Sequence, residues 1–179
     1  MVQDMNTVMV TADDVVNTTT SLSHRDAWTA TDAVRLLQTA TITLQRADRS
    51  RLSASELGAL MLSIKRERDS LQTLKAIIAL EADRAGLANQ DGSRDVADWL
   101  TKHGNESSKH AKDTLALGEA LDRSQELKDA LDDGLSVDTA MNVLPALDQS
   151  HNSLPAADVL DAVKNATPEQ AADLTSKLP

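Results

Sequence analysis

The sequence predicts an all-α fold: a long antiparallel helical hairpin, then a cluster of short helices containing a helix-turn-helix-like segment. Three observations point there. Aliphatic residues recur at steps of three and four, the spacing that lines one face of an α-helix. Ser and Thr stand ahead of these runs, where their hydroxyls can cap free backbone amides. Strand formers are scarce: there is no Phe and no Tyr, and Trp28 and Trp99 supply all the aromatic content.

The elements follow in order. Residues 1–24 are rich in Thr, Asn and Val without periodicity, and read as an N-terminal arm with at most a helical turn near Asp13–Val16. Residues 26–49 predict the first helix, with Val34, Leu37, Thr41 and Leu44 on one seam. Thr39, Thr41 and Thr43 lower its intrinsic propensity, so packing has to hold it. Ser53-Ala54-Ser55-Glu56 is a capping box. It opens a long helix that runs to about Arg84 and stops at Gly86. Leu57, Leu60, Ile64, Leu71, Leu74 and Ile78 form its expected core seam, interrupted by charge at Glu67-Arg68. Residues 26–49 are the nearest antiparallel cover for it, which makes residues 25–90 a hairpin unit.

Residues 91–179 predict the short-helix cluster. Asn89-Gln90-Asp91-Gly92 is a turn, and Ser93 is the expected cap of a helix to His103 that buries Val96, Trp99 and Leu100. A helix from Ser107 or Ser108 to Leu121 follows, with Ala111, Leu115 and Leu117 inward. Ser124 caps Gln125–Asp133, with Gly134 as its stop. Ser136 caps Val137–Leu144, which Pro145 is expected to break or kink. Leu154-Pro155 opens a helix to about Ala166, and Thr167-Pro168-Glu169-Gln170 opens the last one.

Composition limits the chemistry. Cysteine is absent, which removes disulfides and thiolate metal sites and agrees with a cytoplasmic protein. Residues 1–10 lack the basic-then-apolar run of a signal peptide, and no stretch has the ~18 apolar residues of a membrane span. The formal net charge is −10 and is uneven. Residues 1–50 carry 4 basic and 6 acidic side chains, residues 51–90 carry 6 and 5, and residues 91–179 carry 8 and 17. An acidic C-terminal half repels phosphate at long range, so any nucleic-acid contact has to be weak and local. Asp13-Asp14 and Asp132-Asp133 lack the alternating ligands of a calcium loop, and no phosphate loop or nucleophile elbow occurs. No cofactor, metal site or catalytic residue is expected, and the chain reads as a non-enzyme.

Residues 81–178 resemble the actinobacterial 13E12-repeat family, the domain of unknown function numbered 222. The matching features run in order: Glu81-Ala82-Asp83-Arg84-Ala85-Gly86, then Gly92-Ser93 and Trp99-Leu100. Ala111, Leu115-Ala116-Leu117, Ala120-Leu121, Ala130–Ser136 and Ala140 follow, and the tail from Leu154 to Leu174 keeps the rhythm. The resemblance implies a helical module placed ahead of an HNH nuclease domain, in a phage or mobile-element context. The nuclease itself is missing from this sequence. An HNH site needs clustered His and Asn ligands in a ββα unit, whereas His24, His103, His110 and His151 are isolated. The implied role is to position DNA or a nuclease domain supplied in cis or in trans.

Two groups of residues are the candidates for nucleic-acid contact. Ser107, Ser108, Lys109, His110 and Lys112 gather at the start of the second helix of the helix-turn-helix-like segment, where free amides favour phosphate. Lys65, Arg66 and Arg68 form a basic run on the long helix. The competing reading is a protein–protein interaction or dimerisation module without nucleic acid, in which the seam Leu57–Ile78 pairs two copies.

Overall fold

The computed structural model describes residues 29–149 and 155–176. The N-terminal arm, Trp28, His24, Asp13-Asp14, His151 and Leu154 lie outside them. Among the described residues the chain forms eight α-helices and one 3-10 turn, with no strand, in agreement with the all-α reading. It separates into two compact units, Met1–Leu52 and Ser53–Pro179, and each is described by itself.

The first unit contributes α1, Ala30–Arg46. Thr29 and Asp32 form a capping box at its start that the sequence reading placed a turn earlier. The Thr39, Thr41 and Thr43 hydroxyls each donate to the carbonyl four residues back, at 2.9 Å. At the other end the Arg49 guanidinium donates to the carbonyls of Leu44 and Gln45, which closes the helix and places a cation at its negative pole. No residue of α1 is buried; Val34, Leu37 and Leu44, the expected seam, are all exposed.

The second unit begins with α2, Ala54–Arg84, opened by the predicted Ser53–Glu56 box. Gly86 ends it with φ +75°, a left-handed conformation that glycine adopts without a Cβ penalty. After a 3-10 turn at Leu87–Gln90 come α3, Val96–His103, and α4, Ser108–Arg123. Next are α5, Gln125–Asp132, and α6, Val137–Gln149. The last two are α7, Ala156–Val163, and α8, Pro168–Ser176. Helix α4 is central, packing on α2, α3, α5 and α6, while α7 and α8 close over α5 and α6.

The core is small-residue and aliphatic. Leu117, Leu121, Leu127, Val143, Leu160 and Val163 are its larger members, filled in by Ala76, Ala120, Ala140 and Ala171. The crossing of α2 and α4 sets its geometry. A Cβ built on Gly118 would lie 2.4 Å from the Ala76 carbonyl oxygen and 3.2 Å from the Leu80 Cβ. Only hydrogen at position 118 permits that approach, because cores are packed without slack.

Several expectations are corrected. Leu57, Ile64, Leu71, Leu74 and Ile78, expected in the core, are between 38% and 52% exposed, and Leu60 is half-buried. The buried face of α2 is instead Asp69, Ala76 and Ala79, because small side chains let α4 come close. Trp99 and Leu100 are half-buried rather than fully enclosed; Trp99 lies 4.9 Å from the His103 ring, tilted by 34°. The cap of α3 is Asp95, which accepts from the Asp98 amide at 2.7 Å. Ser93 is buried, its amide held by Asp91. Helix α6 continues through Pro145 to Gln149, and α7 stops three residues before the expected Ala166. The end of α5 does follow expectation: Gly134 has φ +103°, and the amides of Gly134 and Leu135 donate back to Leu131 and Ala130.

Two glycine substitutions should have opposite signs. Gly118→Ala gains about 1 kcal/mol of helix propensity but forces α2 and α4 apart, a cost of about 1–3 kcal/mol, so we expect a lower melting temperature. A Cβ on Gly58, within α2, meets nothing within 4 Å. Gly58→Ala should therefore stabilise by roughly 0.5–1 kcal/mol. Denaturant unfolding of both variants checks the pair.

Candidate functional site

The two predicted basic groups meet only in part, where Lys109 and His110 line a cleft whose Asp138 pairs with Arg68. Helix α4 starts where the Ser107 hydroxyl accepts from the His110 amide at 3.2 Å, so this oxygen is already used as the cap. Lys109 and His110, on the first turn of α4, line a cleft of about 310 Å³ with Gln72 and Lys75 of α2 and Asp138 and Asn142 of α6. Arg68 reaches the rim of this cleft from α2, 3.3 Å from Asp138. Ser108 and Lys112 are exposed on α4 away from the lining set, and Arg66 is exposed on α2 beside a separate depression.

Most of the cations there are already matched. Lys65 donates to Asp69 at 2.6 Å and Arg68 donates to the same carboxylate at 2.8 Å. Lys109 pairs with Asp113 at 2.5 Å, and Lys75 pairs with Glu106. His110 faces the second Glu106 oxygen at 3.8 Å, within ion-pair reach but too long for a hydrogen bond. Of the eight predicted nucleic-acid residues, Arg66 and Lys112 are the cations that no ion pair among the described residues includes. A site built to neutralise phosphate keeps its cations free for the ligand. Here the protein's own carboxylates occupy them.

Asp69 organises the α2 side of this region. Burial pushes its carboxyl up, but the hydrogen bonds from Lys65 and Arg68 outweigh that and hold it below the usual carboxylate range. The side chain is mostly enclosed, and losing both cations would strand a buried charge. On α3, Asp98 is held down to about 2 by the Lys102 ammonium first and then by the Arg94 amide. The sequence reading missed Gln72, Lys75, Glu106, Asp138 and Asn142. Their separations in the chain are long, and only the crossing of α2 with α4 and α6 brings them together. Buried side-chain oxygens without a hydrogen-bond partner among the described residues are Gln72 Oε1 and Glu106 Oε2, both at this cleft's inner edge or behind it.

The other surface of note is the outer face of α2. Leu57, Met61, Ile64, Leu71, Leu74 and Ile78 stand exposed along it, with Met61 at 67%. Five of the six expected seam residues stand in this helical stripe, uncovered within their unit, while Leu60 is half-buried and Met61 takes its place. Among the described residues no group of three or more His, Asp or Glu side chains could hold a metal ion, and no helix is long and apolar enough to cross a membrane.

Compared with models of known families, with curated proteins and with solved structures, the chain matches none.

The lowered Asp69 carboxyl has a pH consequence. Its folded value lies below the 3.8 of a free side chain, so its stabilisation is fully present above that pH. It is lost as pH falls through the folded value. Asp69→Asn should therefore lose less stability than the parent as pH falls below 3.8, the variant's remaining slope coming from Asp98 and similar groups. Urea midpoints across that range check this.

Proposed function

We propose that the chain is a non-catalytic helical interaction module that docks an apolar helix along the outer face of α2. The observation that carries this reading is the exposed stripe Leu57, Met61, Ile64, Leu71, Leu74 and Ile78. Scattered exposed aliphatics are ordinary on a protein surface, but aliphatics aligned on one helix face, three on either side of Glu67-Arg68, mark an interaction surface. Helix-in-groove recognition uses anchors at this three- and four-residue spacing.

The charge pattern supports a protein partner over nucleic acid. Lys65, Arg68 and Lys109 are engaged by Asp69, Asp138 and Asp113, and residues 91–179, which include Lys109, carry 17 acidic against 8 basic side chains. The HNH-linked role implied by the 13E12 resemblance fits the same reading. In that setting the helical body holds a nuclease domain by apolar contact and leaves DNA to the nuclease.

Anisotropy titrations test this in two arms. Labelled duplex and single-stranded DNA at low salt should show no saturable binding. A charge-balanced amphipathic probe helix with Leu at heptad positions should bind saturably, weakened at least tenfold by Ile64→Gln with Leu71→Gln. Salt-dependent DNA binding that Lys109→Ala with Lys112→Ala removes would return the function to DNA positioning. Probe binding indifferent to the stripe substitutions would remove helix docking.

A further inference from the structure

Resting on the helix-docking reading, we infer that the occupant of the stripe is α2 of a second copy, lying antiparallel across a two-fold axis between Glu67 and Arg68. The stripe positions are 57, 61, 64, 71, 74 and 78. Their spacing reads the same from either end, with the polar step Glu67-Arg68 at the midpoint. An antiparallel pair therefore sets Leu57 against Ile78, Met61 against Leu74 and Ile64 against Leu71. The charged step meets only its own counterpart. Shifting the register by one turn would press Glu67 or Arg68 onto an aliphatic neighbour, which desolvates a charge without a partner. The pattern thus selects one alignment, and a closed two-fold pair satisfies both copies with one patch.

Charge chooses the direction. The short-helix cluster is tied to the C-terminal half of α2 by Lys75–Glu106 and Arg84–Asp122, and beside the two-fold axis by Arg68–Asp138. That cluster holds nearly all the excess acid, 17 acidic against 8 basic side chains over residues 91–179. Parallel pairing would set two such bodies side by side. Antiparallel pairing moves them to opposite ends of a stripe about 32 Å long, beyond the ~10 Å over which salt at 0.1 M leaves charges in contact. Antiparallel helix dipoles favour the same arrangement. The inner face of α2 keeps its own contacts: Ala76 and Ala79 stay against α4 while the stripe faces outward. A single helix–helix strip belongs to the smaller class of specific interfaces, so the pair should be reversible and concentration-dependent.

The absence of cysteine makes the test clean. Leu57→Cys and Ile78→Cys are made separately in the full chain and mixed under mild oxidation. Sedimentation of the unsubstituted chain is followed over a concentration series. We expect a monomer–dimer equilibrium, a mixed disulfide between the two variants far exceeding either homodisulfide, and a dissociation constant raised at least tenfold by Ile64→Gln with Leu71→Gln. Dominant homodisulfides would mean parallel pairing and overturn the inference. A strict monomer that still binds the probe helix would overturn the second copy as occupant and leave helix docking standing. A strict monomer that binds no probe, because residues 30–46 or another segment of the chain occupies the stripe, would overturn both.

Discussion

The close crossing of α2 and α4 at Ala76 and Gly118 is the constraint on which the second unit depends. With no Phe or Tyr available, large interlocking rings cannot set the spacing between helices. Backbone proximity sets it instead, and it requires hydrogen at Gly118 and methyl at Ala76. Once the two backbones touch there, Arg84 meets Asp122 on one side of the crossing and Lys75 meets Glu106 on the other. Farther along α2, Arg68 reaches Asp138 of α6. These three pairs sit on the more exposed flanks of the crossing. Each contributes little to stability by itself, and together they fix the rotation of α2 against its neighbours.

That arrangement also decides what the surface can recognise. The long helix presents two faces of different character. Its inner face is small and supports the crossing. Its outer face is large, aliphatic and uncovered within the unit. Near the α4 start, Lys75, Lys109 and His110 face carboxylates of Glu106 and Asp113, which leaves Lys112 as the cation there outside any ion pair among the described residues, so local electrostatics add little attraction for phosphate. The cleft among α2, α4 and α6 is a by-product of three helices diverging from one crossing point. Its mixed lining of Lys75, Lys109, His110 and Asp138 has no single sign of charge to focus a ligand.

Much of the fold was legible in the chain because helix ends are local. Ser53 with Glu56, Ser107, Ser124 and Thr167 with Gln170 bond within three residues of themselves, so their signals survive without tertiary information. Gly86 and Gly134 mark stops for the same reason. The face a helix buries is a different matter. Periodicity found the aliphatic stripe of α2 except at Leu60, where Met61 stands instead, but assigned it to the core, whereas Ala76, Ala79 and Gly118, which read as unremarkable, carry the contact. Two local competitions were also misread. Asp95 and Ser93 both offer a capping oxygen; the Ser93 hydroxyl accepts from Lys102 instead, and Asp95 takes the Asp98 amide. Pro145 sacrifices one backbone bond inside α6, which burial of Val143 and Leu144 on the same helix offsets. The cleft residues could not be anticipated, since nothing local links Lys75 with Glu106 or Arg68 with Asp138.

The first half of α2 has an unusual thermodynamic position. Residues 54–64 bury no side chain and join no ion pair among the described residues, so their order rests on the backbone ladder and the Ser53–Glu56 box. An isolated helix of that length is at best marginally stable in water. This segment is spared the nucleation cost because it grows out of an anchored C-terminal half, yet it can fray from its free end. Whatever ligand lies along it adds contacts only where the helix is wound. Occupancy and helical length are therefore one linked equilibrium, and this arm of the molecule lengthens as it is engaged.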